Sequence, residues 1–226
     1  MSAPGPAGGN SKPRRLTFRA LNRSSMFLNR DAKSLMAAAL LAAVSLAAQA
    51  DGNAASGQKL AYSCLGCHGI ENYKNSYPKY SVPKLGGQHK AYIIAALTEY
   101  KDAARWHPTM RGFANTLSDQ DRADLAAYFS SVVPASAGAE VVGTAPEKAA
   151  TCAACHGPNG IGTTDDYPSL AGQHADYIAQ ALNDYRLGKR KNPLMQPLAQ
   201  QLTQDEIHAL AAFFSSQSGL QTPKHD

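Results

Sequence analysis

The chain has 226 residues, with 22 Lys and Arg against 17 Asp and Glu, a formal net charge of +5 and a pI near 9.0. Seven of the basic residues but only one acidic residue lie in residues 1–50, so residues 51–226 carry 15 basic and 16 acidic side chains. Because this larger part is almost neutral, the high pI does not indicate a basic surface for nucleic acid, and no nucleic-acid partner is expected.

An apolar stretch at residues 35–48 is preceded by basic residues and followed by Ala48-Gln49-Ala50, a small-x-small pattern typical of a cleaved secretory signal. The stretch is shorter than the roughly 20 residues of a membrane-spanning helix. We predict that residues 1–50 are a basic leader and signal peptide, cleaved after Ala50. An uncleaved membrane anchor and a translation start at Met26 remain alternatives.

The four cysteines all belong to two copies of one motif, Cys64-Leu65-Gly66-Cys67-His68 and Cys152-Ala153-Ala154-Cys155-His156. This spacing is typical of c-type haem, since two thiols one helical turn apart can each add to a vinyl group while the adjacent imidazole binds the iron. A zinc site or a thioredoxin-like redox pair is less consistent with the sequence, which has His after both pairs and no βαβ pattern. Two covalent haem groups are predicted.

An internal repeat surrounds these motifs. An offset of 85 residues aligns residues 83–89 with 168–174 and residues 125–131 with 210–216. At the cysteines the offset is 88, so the first copy has three extra residues between its motif and Pro83. We predict a tandem duplication in which residues 51–135 form the first domain, 136–144 a linker and 145–226 the second domain.

Hydrophobic periodicity and capping residues predict an all-α fold, and no segment alternates long enough to indicate a strand. Ser118 with Asp121 and Thr203 with Glu206 have the spacing of capping boxes. A domain of about 80 residues has a marginal core, so a buried haem would supply the missing apolar volume. The predicted helices are Ala54–Leu65, Lys90–Ala103, Asp119–Ser130, Ala145–Ala154, Ala175–Leu187 and Gln204–Ser215.

Beyond the leader the chain contains only two methionines, Met110 and Met195, which are equivalent under the repeat. Both lie in polar, proline-containing segments predicted to be loops. Since His/Met is an established pair of haem ligands, we predict His68 with Met110 and His156 with Met195 as the axial ligands of the two irons. Packing in the core is the alternative role for a methionine. A second alternative is bis-His ligation through the repeated His89 and His174.

With both haem motifs, both Pro-x-Leu-x-Gly-Gln-His segments and both methionine segments, residues 51–226 resemble the dihaem cytochrome c4 family, which consists of two fused class I cytochrome c domains. The resemblance implies that the carbonyls of Pro83 and Pro168 accept a hydrogen bond from the iron-binding histidines. It also implies a periplasmic electron carrier, not an enzyme. Its partners would be membrane-bound respiratory complexes, with quinol–cytochrome c reductase as donor and a terminal oxidase as acceptor, or another redox enzyme. The first copy departs from the second at residues 69–72.

Two other functions are compatible with parts of this pattern. A cytochrome subunit of a larger dehydrogenase, such as a sulfide-oxidising flavocytochrome, would have the same fold. A dihaem peroxidase would leave one iron open, which the presence of both Met110 and Met195 argues against. Candidate partners for the haem propionates precede the methionines in both copies: Tyr100, Arg105, Trp106, Tyr185 and Arg190.

The two predicted domains differ in charge. Residues 51–135 carry nine basic against seven acidic side chains, and residues 145–226 carry six against eight. This asymmetry predicts that the two domains face partners of opposite charge.

Overall fold

The computed structural model describes residues 51–132 and 140–224, so the predicted leader and residues 136–139 of the predicted linker lie outside the described residues. Within those two ranges the secondary structure is helical, with isolated β-bridges and no strands. No helix in these ranges is long and apolar enough to cross a membrane. The helices are α1 Ala54–His68, α2 Lys90–Lys101, α3 Pro108–Thr116, α4 Asp119–Ser131, α5 Ala149–His156, α6 Ala175–Arg186, α7 Met195–Gln200 and α8 Gln204–Ser216.

The first domain is built around the packing of α1 on α4, with α2 against α4 and α3. The two helices approach closely at Gly57, where a Cβ atom would lie 1.9 Å from the carbonyl oxygen of Asp124. The core contains Leu65, Leu125 and Phe129, which bury apolar surface at the place where the three helices meet. Asn53 caps α1 by accepting a hydrogen bond from the amide of Ser56.

The second domain repeats the packing of α2, with α6 against α7 and α8, whereas its haem-motif helix α5 is shorter than α1. Its core contains Ile178, Leu210 and Phe214, which are equivalent to Ile93, Leu125 and Phe129 under the offset of 85. The predicted capping boxes at Ser118 and Thr203 both form. The duplicated sequence therefore places equivalent apolar residues in both cores.

Three predicted segments differ from the structure. The helix predicted from Ala145 begins only at Ala149, whose amide donates to the Pro146 carbonyl in a turn. The two methionine segments predicted as loops are the helices α3 and α7. In α3, Pro108 occupies the first turn, where its missing N–H costs nothing, and the side chain of His107 caps the helix.

The two domains meet along an interface that follows the repeat. Residue 105 forms an antiparallel bridge with residue 190, its own equivalent in the second domain. On either side of this bridge the amide of Trp106 donates to Lys189 and the amide of Lys191 donates to Ala104. A second bridge joins Gly86 to residue 221 near the end of the chain.

The first domain's longer loop, residues 69–82, also reaches the second domain. One carboxylate oxygen of Asp176 in α6 accepts hydrogen bonds from the Lys74 ammonium at 2.6 Å and from the Ser81 amide at 3.0 Å. The Ser81 hydroxyl donates to the same oxygen at 2.9 Å. Burial by itself would raise the pKa of Asp176, but these donors outweigh it and the pKa is lowered.

Candidate haem-binding sites

Each Cys-x-x-Cys-His motif forms the last turn of a helix, α1 in the first domain and α5 in the second. Residues three apart lie on the same helix face, so both thiols of a motif point to one side of the helix. All four cysteines are partly buried and none forms a disulfide, and burial raises the pKa of Cys64 and Cys152. The thiols of Cys64 and Cys152 are therefore placed as neutral groups beside the apolar interior of each domain.

The histidine that follows each thiol pair is buried and oriented by a proline carbonyl. His68 is 8% exposed, and its Nδ1 donates to the Pro83 carbonyl at 2.8 Å. His156 is 6% exposed and makes the same bond to Pro168, also at 2.8 Å. Since a proline carbonyl can only accept, the proton lies on Nδ1 and the lone pair of Nε2 is left to bind a metal.

Burial lowers the pKa of both His68 and His156, which favours the neutral imidazole that metal binding requires. The hydrogen bond to the proline carbonyl acts in the opposite direction on each pKa, but burial has the larger effect. The histidines and prolines predicted from the sequence are thus brought together in both domains.

Met110 and Met195 are half-buried near the start of short helices, and in both cases a polar side chain three residues earlier accepts the methionine amide. In the first domain the acceptor is Nδ1 of His107 at 3.2 Å, and in the second it is Oδ1 of Asn192 at 3.0 Å. His107 also lies near enough to His68 to lower the pKa of that residue electrostatically. The segment that carries Met110 therefore belongs to the surroundings of His68.

Arg105 and Arg190 are both 6% exposed and lie where the two domains meet. Nη2 of each donates to the hydroxyl of Tyr92, at 3.2 Å from Arg105 and 2.9 Å from Arg190. Burial alone would raise the pKa of Tyr92, but the two guanidinium groups together lower it to about 8. Glu99 lies 3.0 Å from Arg105 and supplies one negative charge for the pair.

The Nε atoms of both arginines are buried and have no hydrogen-bond partner among the described residues. An unpaired buried donor is costly, and a charged one more so. A carboxylate at the junction of the domains would satisfy these donors, which fits the propionates of two haems. Of the other candidates for this role, Tyr185 lies under the Arg190 guanidinium, whereas Trp106 is 53% exposed.

His89 and His174, the alternative ligands, precede α2 and α6 as their N-terminal caps. Nδ1 of His89 lies 3.2 Å from a carboxylate oxygen of Asp165 in the other domain. Burial lowers the pKa of His174. The structure thus places His89 in the domain interface.

Sequence reasoning assigned no role to Gln88 or Gln173, although both are buried and bonded to the opposite domain. The repeated Gly-Gln-His sequence held the signal for them, because both glutamines recur at the offset of 85.

Comparison with known proteins places these sites in context. The family model described as Cytochrome c matches twice, over residues 54–132 and 135–218. Cytochrome c4 of Pseudomonas aeruginosa is 38% identical over 182 residues, which are 74% of this chain and 89% of that protein. The thiosulfate dehydrogenase electron acceptor of Stutzerimonas stutzeri is 32% identical over 202 residues, which are 78% of this chain and 92% of that protein.

The crystal structure of reduced recombinant cytochrome c4 from Pseudomonas stutzeri is similar to this chain, with a TM-score of 0.59 and 32% sequence identity. The similarity covers 74% of this chain and 99% of that one. Both the sequence and the structural likeness therefore extend over the two domains together.

Proposed function

The chain belongs to the cytochrome c family as a dihaem electron-transfer protein of the cytochrome c4 type, and from this premise we propose that it carries single electrons through two His/Met-ligated haems. Cys64 with Cys67 and Cys152 with Cys155 attach the two haem c groups covalently. When bound, each haem supplies a one-electron iron couple. The protein's own residues would hold the haems, bury the iron-binding histidines and set the charge around each site.

The observation that carries the proposal is the repeated bond from the haem-motif histidine to a proline carbonyl, at 2.8 Å in both domains. In our proposal Nε2 of His68 and of His156 binds the iron. The carbonyls of Pro83 and Pro168 keep each ring in one orientation and increase its basicity through Nδ1. The same geometry in both domains supports two electron-transfer sites of one kind.

Met110 and Met195 are proposed as the sixth ligands. Their support is their equivalence under the repeat, their half-buried positions and the polar side chain that accepts a hydrogen bond from each methionine amide. A thioether ligand stabilises ferrous iron and raises the reduction potential. With a histidine and a methionine to hold each iron, the chain would support electron transfer without substrate binding at the metal, which argues against a dihaem peroxidase.

We further propose that Arg105 and Arg190 bind haem propionates through their unpaired Nε atoms. A propionate from each domain would neutralise the buried guanidinium groups. Among the described residues, Glu99 lies within ion-pair distance of Arg105. The negative charges of the propionates would balance the two positive charges that are buried in the interior.

A periplasmic location follows from the signal-like leader and the covalent haem attachment, and is part of the proposal. The predicted cleavage after Ala50 precedes α1, which begins at Ala54 and carries the first haem motif. The leader would thus be removed without loss of any helix that carries the haem motifs.

For its partners we propose membrane-bound respiratory complexes, with quinol–cytochrome c reductase as donor and a terminal oxidase as acceptor. The second candidate is electron exchange with a dehydrogenase, and the likeness to a thiosulfate dehydrogenase electron acceptor favours this over a sulfide-oxidising flavocytochrome. Reduction rates of the purified protein with each class of donor distinguish these two candidates.

The experiment that tests the main proposal is an absorption spectrum of the mature protein, combined with a haem count and a potentiometric titration. We expect two haems per chain, low-spin spectra in both oxidation states and a methionine-to-iron charge-transfer band in the oxidised protein. A high-spin component in the oxidised protein would contradict the proposed ligation of one haem.

A further inference from the structure

Two buried glutamines cross the domain interface in opposite directions. Gln88 of the first domain accepts from the Ser169 amide at 2.9 Å and donates to the Ser169 carbonyl at 3.1 Å. Gln173 of the second domain accepts from the Lys84 amide at 2.9 Å and donates to the Lys84 carbonyl at 3.0 Å. Ser169 and Lys84 are themselves equivalent under the repeat, so the two contacts are copies of one another.

The orientation of each side-chain amide is set by its other bond. Oε1 of Gln88 also accepts from the amide of His89 at 2.9 Å, and Oε1 of Gln173 accepts from the amide of His174 at 3.1 Å. Because each oxygen accepts from two backbone N–H groups, an exchange of the oxygen and nitrogen positions would place donors against donors. The glutamines are 4% and 5% exposed, so water competes little for these bonds.

The residues that these glutamines hold share a peptide group with the prolines of the haem sites. The carbonyl of Pro83 and the N–H of Lys84 belong to one planar peptide unit, and so do the carbonyl of Pro168 and the N–H of Ser169. His68 donates to the carbonyl end of the first unit, and Gln173 accepts from its N–H end. The same chain runs from His156 through the second unit to Gln88.

A planar peptide cannot turn its carbonyl without turning its N–H. Loss of the glutamine contact therefore frees the proline carbonyl to rotate away from the histidine Nδ1. The contact also polarises the peptide, since consecutive hydrogen bonds strengthen one another in a low-dielectric interior. A stronger bond at Nδ1 makes the imidazole a more basic ligand.

We propose that Gln88 and Gln173 are positioning residues that act across the interface, so that each domain controls the hydrogen bond on the iron-binding histidine of the other. The proposal rests on the proposed ligation by His68 and His156. Its distinctive consequence is a crossed effect: a substitution in the second domain changes the first haem, and the reverse. An intact interface then becomes a condition for the native potentials of both haems.

The test uses the full-length, haem-loaded protein and the variants Gln173→Ala and Gln88→Ala. The Nδ1 protons of His68 and His156 are followed by NMR of the reduced protein, and the potential of each haem is obtained by titration with domain-specific haem signals. For Gln173→Ala we expect faster exchange of the His68 proton. A less basic ligand stabilises ferric iron less, so the ratio of reduced to oxidised haem in the first domain should rise up to about tenfold at a fixed potential, or about 59 mV.

In Gln173→Ala the His156 proton and the second haem should remain as in the wild type, and Gln88→Ala should show the converse. The matched control is Lys74→Gln, which removes another interdomain contact, to Asp176, and should leave both histidine protons unchanged. A change confined to the haem of the substituted domain, an equal change in both haems, or no change in either overturns the proposal.

Two further variants separate positioning from folding. Gln173→Leu keeps most of the side-chain volume and removes the bonds, so it should reproduce the alanine result if the chain loads haem. Gln173→Glu retains an acceptor for the Lys84 amide, so the Nδ1 proton of His68 should exchange as slowly as in the wild type. Equal exchange rates of the His68 proton in the Leu and Glu variants would overturn the proposed role of Gln173.

The wild-type NMR spectrum tests histidine ligation separately, since ring-current-shifted imidazole signals from two ligands are required there.

Discussion

His107 and Asn192 occupy equivalent positions in the two domains, and each accepts a hydrogen bond from a methionine amide, one through a ring nitrogen and the other through an amide oxygen. Nδ1 of His107 accepts the amide of Met110, and Oδ1 of Asn192 accepts the amide of Met195. Asn192 accepts a second amide, that of Leu194, at 3.0 Å. The His107 ring instead lies edge-on to Tyr80 and Tyr100, with ring centroids 6.5 Å and 6.4 Å apart. The methionine amide therefore has the same kind of hydrogen bond in both domains, but the side chain that accepts it has different neighbours.

Removal of either side chain should loosen the helix that carries the methionine. We expect His107→Ala to lower the free energy of unfolding by about 1 kcal/mol, the usual contribution of an N-terminal cap. Asn192→Ala removes the side-chain bonds to the amides of Leu194 and Met195 and should lower it by about the same amount. His107→Asn provides the matched control, because asparagine performs this function in the second domain. Thermal unfolding followed by absorbance measures the effect, and an Ala variant as stable as the Asn variant would contradict a capping role.

Substitution of the methionines tests the proposed ligands directly. Met110→Ala or Met195→Ala should each remove about half of the methionine-to-iron charge-transfer band and lower one of the two midpoint potentials, since the thioether stabilises ferrous iron. The double variant should lose the whole band. Each single variant is the control for the other. A variant with an unchanged spectrum would show that its methionine is not a ligand.

Stability should fall in acid because of Asp176. Its pKa is lowered in the folded protein below its ordinary value of 3.8, so its contribution to stability is complete above that value. The contribution is lost as the pH falls below 3.8 toward the folded pKa. We expect Asp176→Asn to be less stable than wild type at pH 7 and to lose less stability than wild type on acidification.

Denaturant unfolding at several pH values measures this difference. Asp166→Asn, which alters an exposed carboxylate in the same domain, provides the control and should keep the wild-type acid dependence. Parallel stability curves for wild type and Asp176→Asn would exclude Asp176 as a source of the pH dependence.

The opposite charges of the two domains should appear in their reactions with partners. Lys84 and Asp165 are unsuitable probes, because Lys84 donates to the Gly172 carbonyl and Asp165 contacts His89 across the interface. Lys59 and Lys79 in the first domain, and Glu147 and Asp166 in the second, are exposed. We expect reversal of the first pair to slow one half-reaction and reversal of the second pair to slow the other.

Stopped-flow rates of reduction and oxidation, measured against ionic strength, test this division. The effects should fade as salt rises, since the Debye length is about 8 Å at physiological ionic strength. If both reversals slowed the same half-reaction equally, the two domains would not be distinguished by their charge.

Mass spectrometry of the amino terminus tests export and processing. We expect the mature chain to begin at Asp51, because the small-x-small pattern at Ala48 and Ala50 suits signal cleavage there. An Ala50→Arg variant should accumulate as uncleaved precursor. A mature chain that began at Met1 or Met26 would indicate a tethered protein.

The sequence alone determined the features that depend on short spacing. Cys64, Cys67 and His68 predict a haem site, because covalent attachment of haem needs two thiols one helical turn apart and an imidazole beside them. The duplication, the caps at Ser118 and Thr203 and the all-helical class were likewise predictable, since each depends on neighbouring residues. The short helices at the methionines were missed, because six to nine residues carry too little periodicity.

Only the tertiary structure decided what joins the two domains. Gln173 and Lys84 are 89 residues apart, and Gln88 and Ser169 are 81 apart, so no local pattern relates them. The same holds for Tyr92, whose hydroxyl is shared by Arg105 and Arg190. A repeat predicts two similar domains, but their relative placement depends on surfaces that become complementary only after each domain has folded. The crossed glutamine contacts are a property of that placement.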